Sequence, residues 1–253
     1  MSIASEQDLI GLLRIGKIVA LTLQKMQSAV RPGMTTAELD SIGARVMQEH
    51  GARSAPQFIY GFPGATCLSL NDEAAHGIPG DRIIRAGDLV KIDVTAELDG
   101  YIADAAYTVA VPPVSPAKRR LCDCAKAALQ KSLAAARAGR PINAIGRAAE
   151  KEVSSHGFSV VRELCGHGVG RAIHEDPRMV PHYYSPQFNE RLTDGLVIAV
   201  EPHVSVKATR IVDSTDGWTL KTANHSLVAN YEHTIVVTQG RPIVVTAIGE
   251  KMQ

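Results

Sequence analysis

The feature that most constrains this chain is that its first helical segment occurs twice. With residues 23–51 laid on residues 129–157, Leu23-Gln24-Lys25 falls on Leu129-Gln130-Lys131, Ala29 on Ala135, Arg31 on Arg137, Gly33 on Gly139 and His50-Gly51 on His156-Gly157. Eight identities in 29 ungapped positions exceed what unrelated helices commonly give, although alanine-rich helices inflate such matches. A repeat of this length implies two similar supersecondary units, each completing the other's core. The expectation is a single domain over residues 1–253 with internal halves of about 1–112 and 117–253, joined near Pro112, Pro113 and Pro116. A chain of 253 residues is long enough to bury the core such a domain needs.

Within the first half, periodicity predicts a helix over 6–30 and a second one ending near His50-Gly51. Thr35 with Glu38 makes the second helix's capping box. Helices resume over 117–137 and from about Asn143 to His156-Gly157. Between them lies LVKIDVTAELDGYIADAAYTV, residues 89–109, which reads as two strands joined by a tight Asp99-Gly100 turn. If those two residues form the turn, Leu98 faces Tyr101 and Thr95 faces Asp104. Asp93 then shares a sheet face with Asp104, a diagonal neighbour roughly 7 to 8 Å away. A single aspartate on a strand is ordinarily turned to solvent, so the pair alone does not make a site. Two carboxylates that close in an apolar sheet repel, and a metal ion between them is the economical remedy.

The repeat then requires a second pair, and the second half has one. Leu196-Val197-Ile198-Ala199-Val200-Glu201 ends an apolar run in a carboxylate as Leu89-Val90-Lys91-Ile92-Asp93 does, and Glu232 opens a strand as Asp104 does. The intervening connection is longer, roughly residues 202–230. His167 in Cys165-Gly166-His167-Gly168-Val169-Gly170 adds a nitrogen donor between glycines that let the backbone come close to a site; otherwise it simply caps a turn. Asp93, Asp104, His167, Glu201 and Glu232 carry too much negative charge for one divalent ion and suit two, bridged about 3.5 to 4 Å apart. The oxygen bias argues against structural zinc and favours manganese, iron(II), cobalt or an open catalytic zinc, which is hydrolytic chemistry. His76 and His174, each beside turn-forming residues, are candidates for acid and base, or else ordinary surface histidines.

Composition excludes several classes. The net charge of +1, with both signs dispersed, suggests neither a nucleic-acid groove nor an anionic membrane. Glu6, Asp8, Arg14 and Lys17 interrupt the N-terminal stretch, which therefore reads as an amphipathic helix rather than a secretion signal. No run of about 18 apolar residues is present, so no membrane span is expected. Cys67, Cys122, Cys124 and Cys165 show no disulfide framework and suit a reducing cytosol; Cys122 and Cys124 fall on different faces of one helix.

The segments NDEAAHGIP, KIDVTAELDGYIAD, GHGVGRAIHEDP, VIAVEPHVS and YEHTIVV resemble the successive motifs of type I methionine aminopeptidases, in the short form found in bacteria. The resemblance runs through nearly the whole chain. It implies an α+β pita-bread fold, two pseudo-twofold-related halves around a curved antiparallel sheet. It further implies that Asp93 holds one ion, that His167 and Glu201 hold the other, and that Asp104 and Glu232 bridge both. His174 is then expected to bind or polarise the substrate carbonyl, His76 to contact the scissile amide nitrogen, and Glu201 to relay protons. The family's methionine pocket maps onto Ile59, Phe62, Cys67 and Trp218. The implied substrates are nascent chains whose methionine is followed by a small residue, met by a cytoplasmic monomer in transient contact with the ribosome.

The chain departs from the family pattern in three places. Ile59 stands where a tyrosine is common, Pro56 where many members have cysteine, and Ala105-Ala106 where hydroxyl-bearing residues usually follow the first bridging aspartate. The last departure predicts looser hydrogen bonding around Asp104. Two other functions compete with this reading: a proline-specific aminopeptidase or creatinase-like hydrolase on the same fold, and a metal-free protein that keeps the fold as a docking surface.

Overall fold

The computed structural model describes residues 1–247. Two helical hairpins flank the strands, and each obeys the same local rules. Helix α1 (Glu6–Ala29) starts on a capping box between Ser5 and Asp8, and α2 (Thr36–Glu49) on the expected box between Thr35 and Glu38. The first strand, β1 (Arg53–Ser54), leads into the short helix α3 (Ala55–Tyr60), which stops at Gly61 in the left-handed region. Strands β2 (Cys67–Leu70), β3 (Glu73–Ala75), β4 (Leu89–Leu98) and β5 (Tyr101–Ala110) complete the first half.

The second half opens with α4 (Pro116–Ala135), capped by the Ser115 hydroxyl with proline in its first turn, and α5 (Asn143–Ser155). Strands β6 (Ser159–Val160), β7 (Gly166–Gly168), β8 (Glu175–Val180) and β9 (Val197–Val200) follow. The long connection carries β10 (His203–Ser205), β11 (Ile211–Asp213), β12 (Leu220–Thr222) and β13 (Val228–Asn230), before β14 (His233–Val236) and β15 (Ile243–Val244). The residues that matched in sequence also match in conformation. Gly51 and Gly157 end α2 and α5 at φ of 73° and 74°, and Gly33 and Gly139 turn between the helices at 91° and 81°. His50 and His156 each hold a backbone carbonyl four residues back through Nδ1, at 2.9 Å.

The β4–β5 hairpin forms in the expected register, Leu98 opposite Tyr101 and Thr95 opposite Asp104. Asp99 and Gly100 sit at φ of 53° and 78°, the two positive values a primed two-residue turn demands. In the second half β9 pairs antiparallel with β14, Ala199 opposite Thr234, and β7 is wedged between β8 and β9. Two hydrophobic clusters back these sheets. One gathers α1 and α2 residues such as Leu12, Ile15 and Leu39 under Val90, Ile92 and Val94; the other gathers Leu121, Leu129 and Ile145 under Ile198, Val200 and Ile235. Each fully buried side chain of this size contributes about 1.5 to 3 kcal/mol.

The halves are sewn together along β5 and β14. The Thr234 hydroxyl accepts from the Asp104 N–H and donates to the Asp104 carbonyl, both at 2.8 Å. The Glu232 N–H donates to the Ala106 carbonyl at 2.9 Å, and Thr108 and Asn230 exchange a similar pair of bonds. A seam made by one central strand from each half brings one carboxylate of each half to the same place.

Candidate metal centre

All five predicted ligands line one cavity of about 720 Å³. Asp93 and Asp104 come from β4 and β5. Glu201 lies one residue past β9 and Glu232 one residue before β14, outside the strands in which the sequence placed them. His167 is the middle residue of β7. A Cβ on Gly166 would come within 2.2 Å of the Ala199 carbonyl, and one on Gly168 within 2.4 Å of the Asp176 carbonyl. Both glycines are therefore required for β7 to fit between its neighbours and aim the imidazole inward. One ligand atom each from Asp104, His167 and Glu232 all lie within 4.8 Å of one another, and His167 Nε2 is 3.6 Å from Glu201 Oε1.

The electrostatics identify what this cluster lacks. Burial pushes the carboxyl groups of Asp93, Glu201 and Glu232 well above the ordinary carboxylate range, and Asp104 up to about 6. Mutual repulsion among the carboxylates adds to the rise at Asp93, Glu201 and Glu232. Asp93 Oδ1 and Glu232 Oε1 are buried with no hydrogen-bond partner among the described residues. Orphaned carboxylate oxygens crowded against a neutral imidazole are unfavourable unless a cation supplies the missing charge. The Nδ1 of His167 meets the Gly168 carbonyl at 3.0 Å, so its hydrogen is there and Nε2 keeps the lone pair a metal needs. The donor set therefore fits divalent metal.

The surroundings hold the ligands from behind. Thr95 donates to Asp104 Oδ1 at 2.8 Å. Together with Thr234 on the Asp104 backbone, it holds this ligand although Ala105 and Ala106 bring no hydroxyl. Ala105 packs in the core, and Ala106 lies opposite Asp93 on the face that carries Asp104, its carbonyl taking part in the seam. The Glu201 backbone is gripped between two buried histidines: its N–H donates to His182 Nε2 at 3.0 Å and its carbonyl accepts from His203 at 2.9 Å. Burial pushes both rings down to about 3, so each stays neutral.

His76 and His174 line the same cavity. His76 adopts a left-handed φ of 54°, and the next residue, Gly77, has no room for a Cβ against the Leu68 carbonyl. This forced bend directs His76 to the cavity. His174 follows a turn clamped by Glu175, whose Oε1 accepts from the backbone of Arg171 and Ala172. Both rings remain reachable by solvent through the mouth, while the enclosing protein and the neighbouring histidines lower their pKa.

An apolar wall adjoins the metal end. Phe62 and Trp218 meet edge to face with centroids 5.2 Å apart, and Cys67, opposite Asp93 across β2 and β4, continues the wall. Asp216 accepts from the Trp218 and Thr219 N–H groups, an Asx turn that sets the indole. Ile59 does not line the cavity and is 43% exposed; its neighbour Tyr60 takes that part of the wall, with Pro56 beside it. The sequence reading also missed Lys91. Its ammonium is buried and donates to the carbonyls of Asn71 and Val228, tying the segment that carries His76 to β13. Burial brings its pKa down to about 8.

Residues 11–239 match the model of metallopeptidase family M24. Methionine aminopeptidase 2 of Bacillus subtilis is 47% identical over 249 residues, covering 98% of this chain and all of the relative. The chain belongs to metallopeptidase family M24, among its methionine aminopeptidases. The crystal structure of methionine aminopeptidase from Rickettsia prowazekii superposes with a TM-score of 0.93 at 34% identity, over 98% of this chain and all of that one. A prolidase from Pyrococcus furiosus shares the pita-bread fold at a TM-score of 0.79 and 20% identity, with 98% of this chain covering 66% of the prolidase. The α+β architecture with two related halves is thus the fold of the family. None of the four cysteines is in a disulfide, and no described helix is long and apolar enough to cross a membrane.

Proposed function

We propose that this M24 metallopeptidase removes the N-terminal methionine from nascent proteins whose second residue is small, using two divalent ions held by Asp93, Asp104, His167, Glu201 and Glu232. The observation that carries the reading is the union of four carboxylates and one imidazole with an apolar wall of Phe62, Cys67 and Trp218 in one cavity. Aromatic edges and a buried thiol suit a flexible thioether. Bound there, the ions supply Lewis acidity and lower the pKa of water enough for peptide hydrolysis near neutral pH. Manganese, cobalt, iron(II) and zinc all suit this donor set.

In this reading His174 donates to the substrate carbonyl oxygen, His76 contacts the scissile amide nitrogen and Glu201 passes the proton onward. The place of Glu201 in the cavity wall beside His167, Oε1 3.6 Å from its Nε2, supports its part as a proton carrier. The protein would act as a cytoplasmic monomer meeting its substrates at the ribosome.

The test is peptide cleavage by purified protein loaded with manganese or cobalt. Methionine should be released from Met-Ala-Ser. Efficient cleavage of Xaa-Pro substrates with Met-Ala-Ser left intact would overturn the proposal in favour of a proline-specific enzyme on this fold.

A further inference from the structure

The rings of His167 and His174 lie side by side with centroids 4.4 Å apart, yet their Nδ1 atoms meet different kinds of group. His167 Nδ1 faces a carbonyl, which can only accept. His174 Nδ1 lies 3.0 Å from the phenolic oxygen of Tyr60, which can donate. Tyr60 ends α3 in the first half and His174 precedes β8 in the second, so this bond joins elements far apart in sequence in the wall of the cavity. The two rings also stack, 6.1 Å between centroids and 30° between planes. The Tyr60 hydroxyl has no other hydrogen-bond partner among the described residues.

We propose that Tyr60 is a positioning residue, its hydroxyl donating to His174 Nδ1 and so fixing the tautomer that presents Nε2–H to the cavity. The inference rests on the aminopeptidase reading, in which a substrate carbonyl oxygen needs a donor at that point. The far side of the ring decides the direction of the bond. In that reading a substrate carbonyl oxygen, which can only accept, approaches from that side, so the hydrogen is needed on Nε2 and Nδ1 is left to accept from the Tyr60 hydroxyl. Two adjacent histidines thus take opposite tautomers, one keeping a lone pair for a metal and the other a hydrogen for an oxygen.

Tyr60→Phe preserves the stacked ring and removes only the hydroxyl. With the manganese-loaded enzyme and Met-Ala-Ser, kcat should fall about tenfold while KM stays within about twofold, the size expected for one hydrogen bond whose loss is felt in the transition state. In a His174→Gln background the same substitution should change kcat by less than about twofold, because the partner it positions is gone. Nitrogen-15 spectra of the protein loaded with diamagnetic zinc give a readout independent of catalysis. His174 should be protonated at Nε2 in the parent and a mixture of tautomers in Tyr60→Phe. A parent spectrum showing His174 protonated at Nδ1, or a Tyr60→Phe enzyme with parental kcat, overturns the proposal. A parent inactive on Met-Ala-Ser instead defeats the aminopeptidase reading, and the spectra still report the tautomer.

Discussion

The two halves deliver their carboxylates by different routes. In the first half Asp93 and Asp104 sit on a continuous hairpin closed by a two-residue turn, so backbone pairing alone fixes their separation. In the second half Glu201 and Glu232 flank β9 and β14, and the chain between them leaves the sheet to build β10 to β13. That excursion carries Trp218, which meets Phe62, and Thr219, whose hydroxyl reaches the His76 carbonyl. A duplicated scaffold therefore keeps one arm short for rigidity and lengthens the other to wall a pocket. Precision at the metal then depends on the seam, where Thr234 and Ala106 hold the two arms together.

The sharpest way to break the comparison is to remove one seam carboxylate from each half. Asp104→Ala and Glu232→Ala should each lower activity by about 10³-fold or more, since several kcal/mol of Lewis-acid stabilisation is lost and every 1.4 kcal/mol is tenfold. Metal analysis should show reduced loading in both. A Glu232→Ala loss ten times smaller than that of Asp104→Ala would mean that the lengthened arm is not an equal partner. The same carboxylates set the pH response. Their pKa values are raised, to about 6 for Asp104, so protons compete with metal as pH falls through that range. Apparent metal affinity should rise with pH across that window, with more than one proton released on loading, as calorimetry in buffers of different ionisation enthalpy would show.

Smaller changes sharpen the contrast between rigidity and walling. Thr95→Val removes the hydroxyl that orients Asp104 within the short arm, and metal affinity or kcat should fall about 10- to 100-fold with the fold intact by circular dichroism. Trp218→Ala acts on the lengthened arm and should raise KM for Met-Ala-Ser about tenfold with kcat within about threefold, because it removes binding rather than chemistry. A kcat collapse in Trp218→Ala with unchanged KM would show that the excursion positions the metal rather than the side chain of methionine.

What could be read from sequence is what local chemistry decides. Asp99-Gly100 sets the hairpin register, and with it the facing of Thr95 and Asp104; the capping box at Thr35 and the glycines at 51 and 157 bound the helices. The candidate ligands that line one cavity can be found from the sequence because a repeat turns one carboxylate pair into a search for another. The seam was not legible, since the bonds of Thr234, Asn230 and Lys91 join residues more than 100 positions apart and leave no periodic trace. The register puts Thr95 opposite Asp104, but the bond its hydroxyl makes to that carboxylate depends on side-chain rotamers that no periodicity encodes. The resemblance puts Ile59 in the pocket, whereas the short α3 gives that wall to Tyr60.

The smallest expected effect tests whether the halves are equal where they look most alike. Gly51 and Gly157 end equivalent helices at nearly the same positive φ, and a Cβ would meet only Leu98 Cδ1, at 3.9 Å, in the first case and nothing within 4 Å in the second. Space does not distinguish the two sites, so backbone strain alone should set the cost of Gly→Ala. That cost is about 1 kcal/mol at each position, read as a shift of the denaturant midpoint at constant slope. If both variants lose the same amount and keep parental kcat, the helical hairpins are interchangeable scaffolds and the asymmetry is confined to the sheet arms. If Gly157→Ala is markedly the more costly, the second helical hairpin bears on the metal centre through Ile145 and Val153, which share a core cluster with Val200, the residue before Glu201.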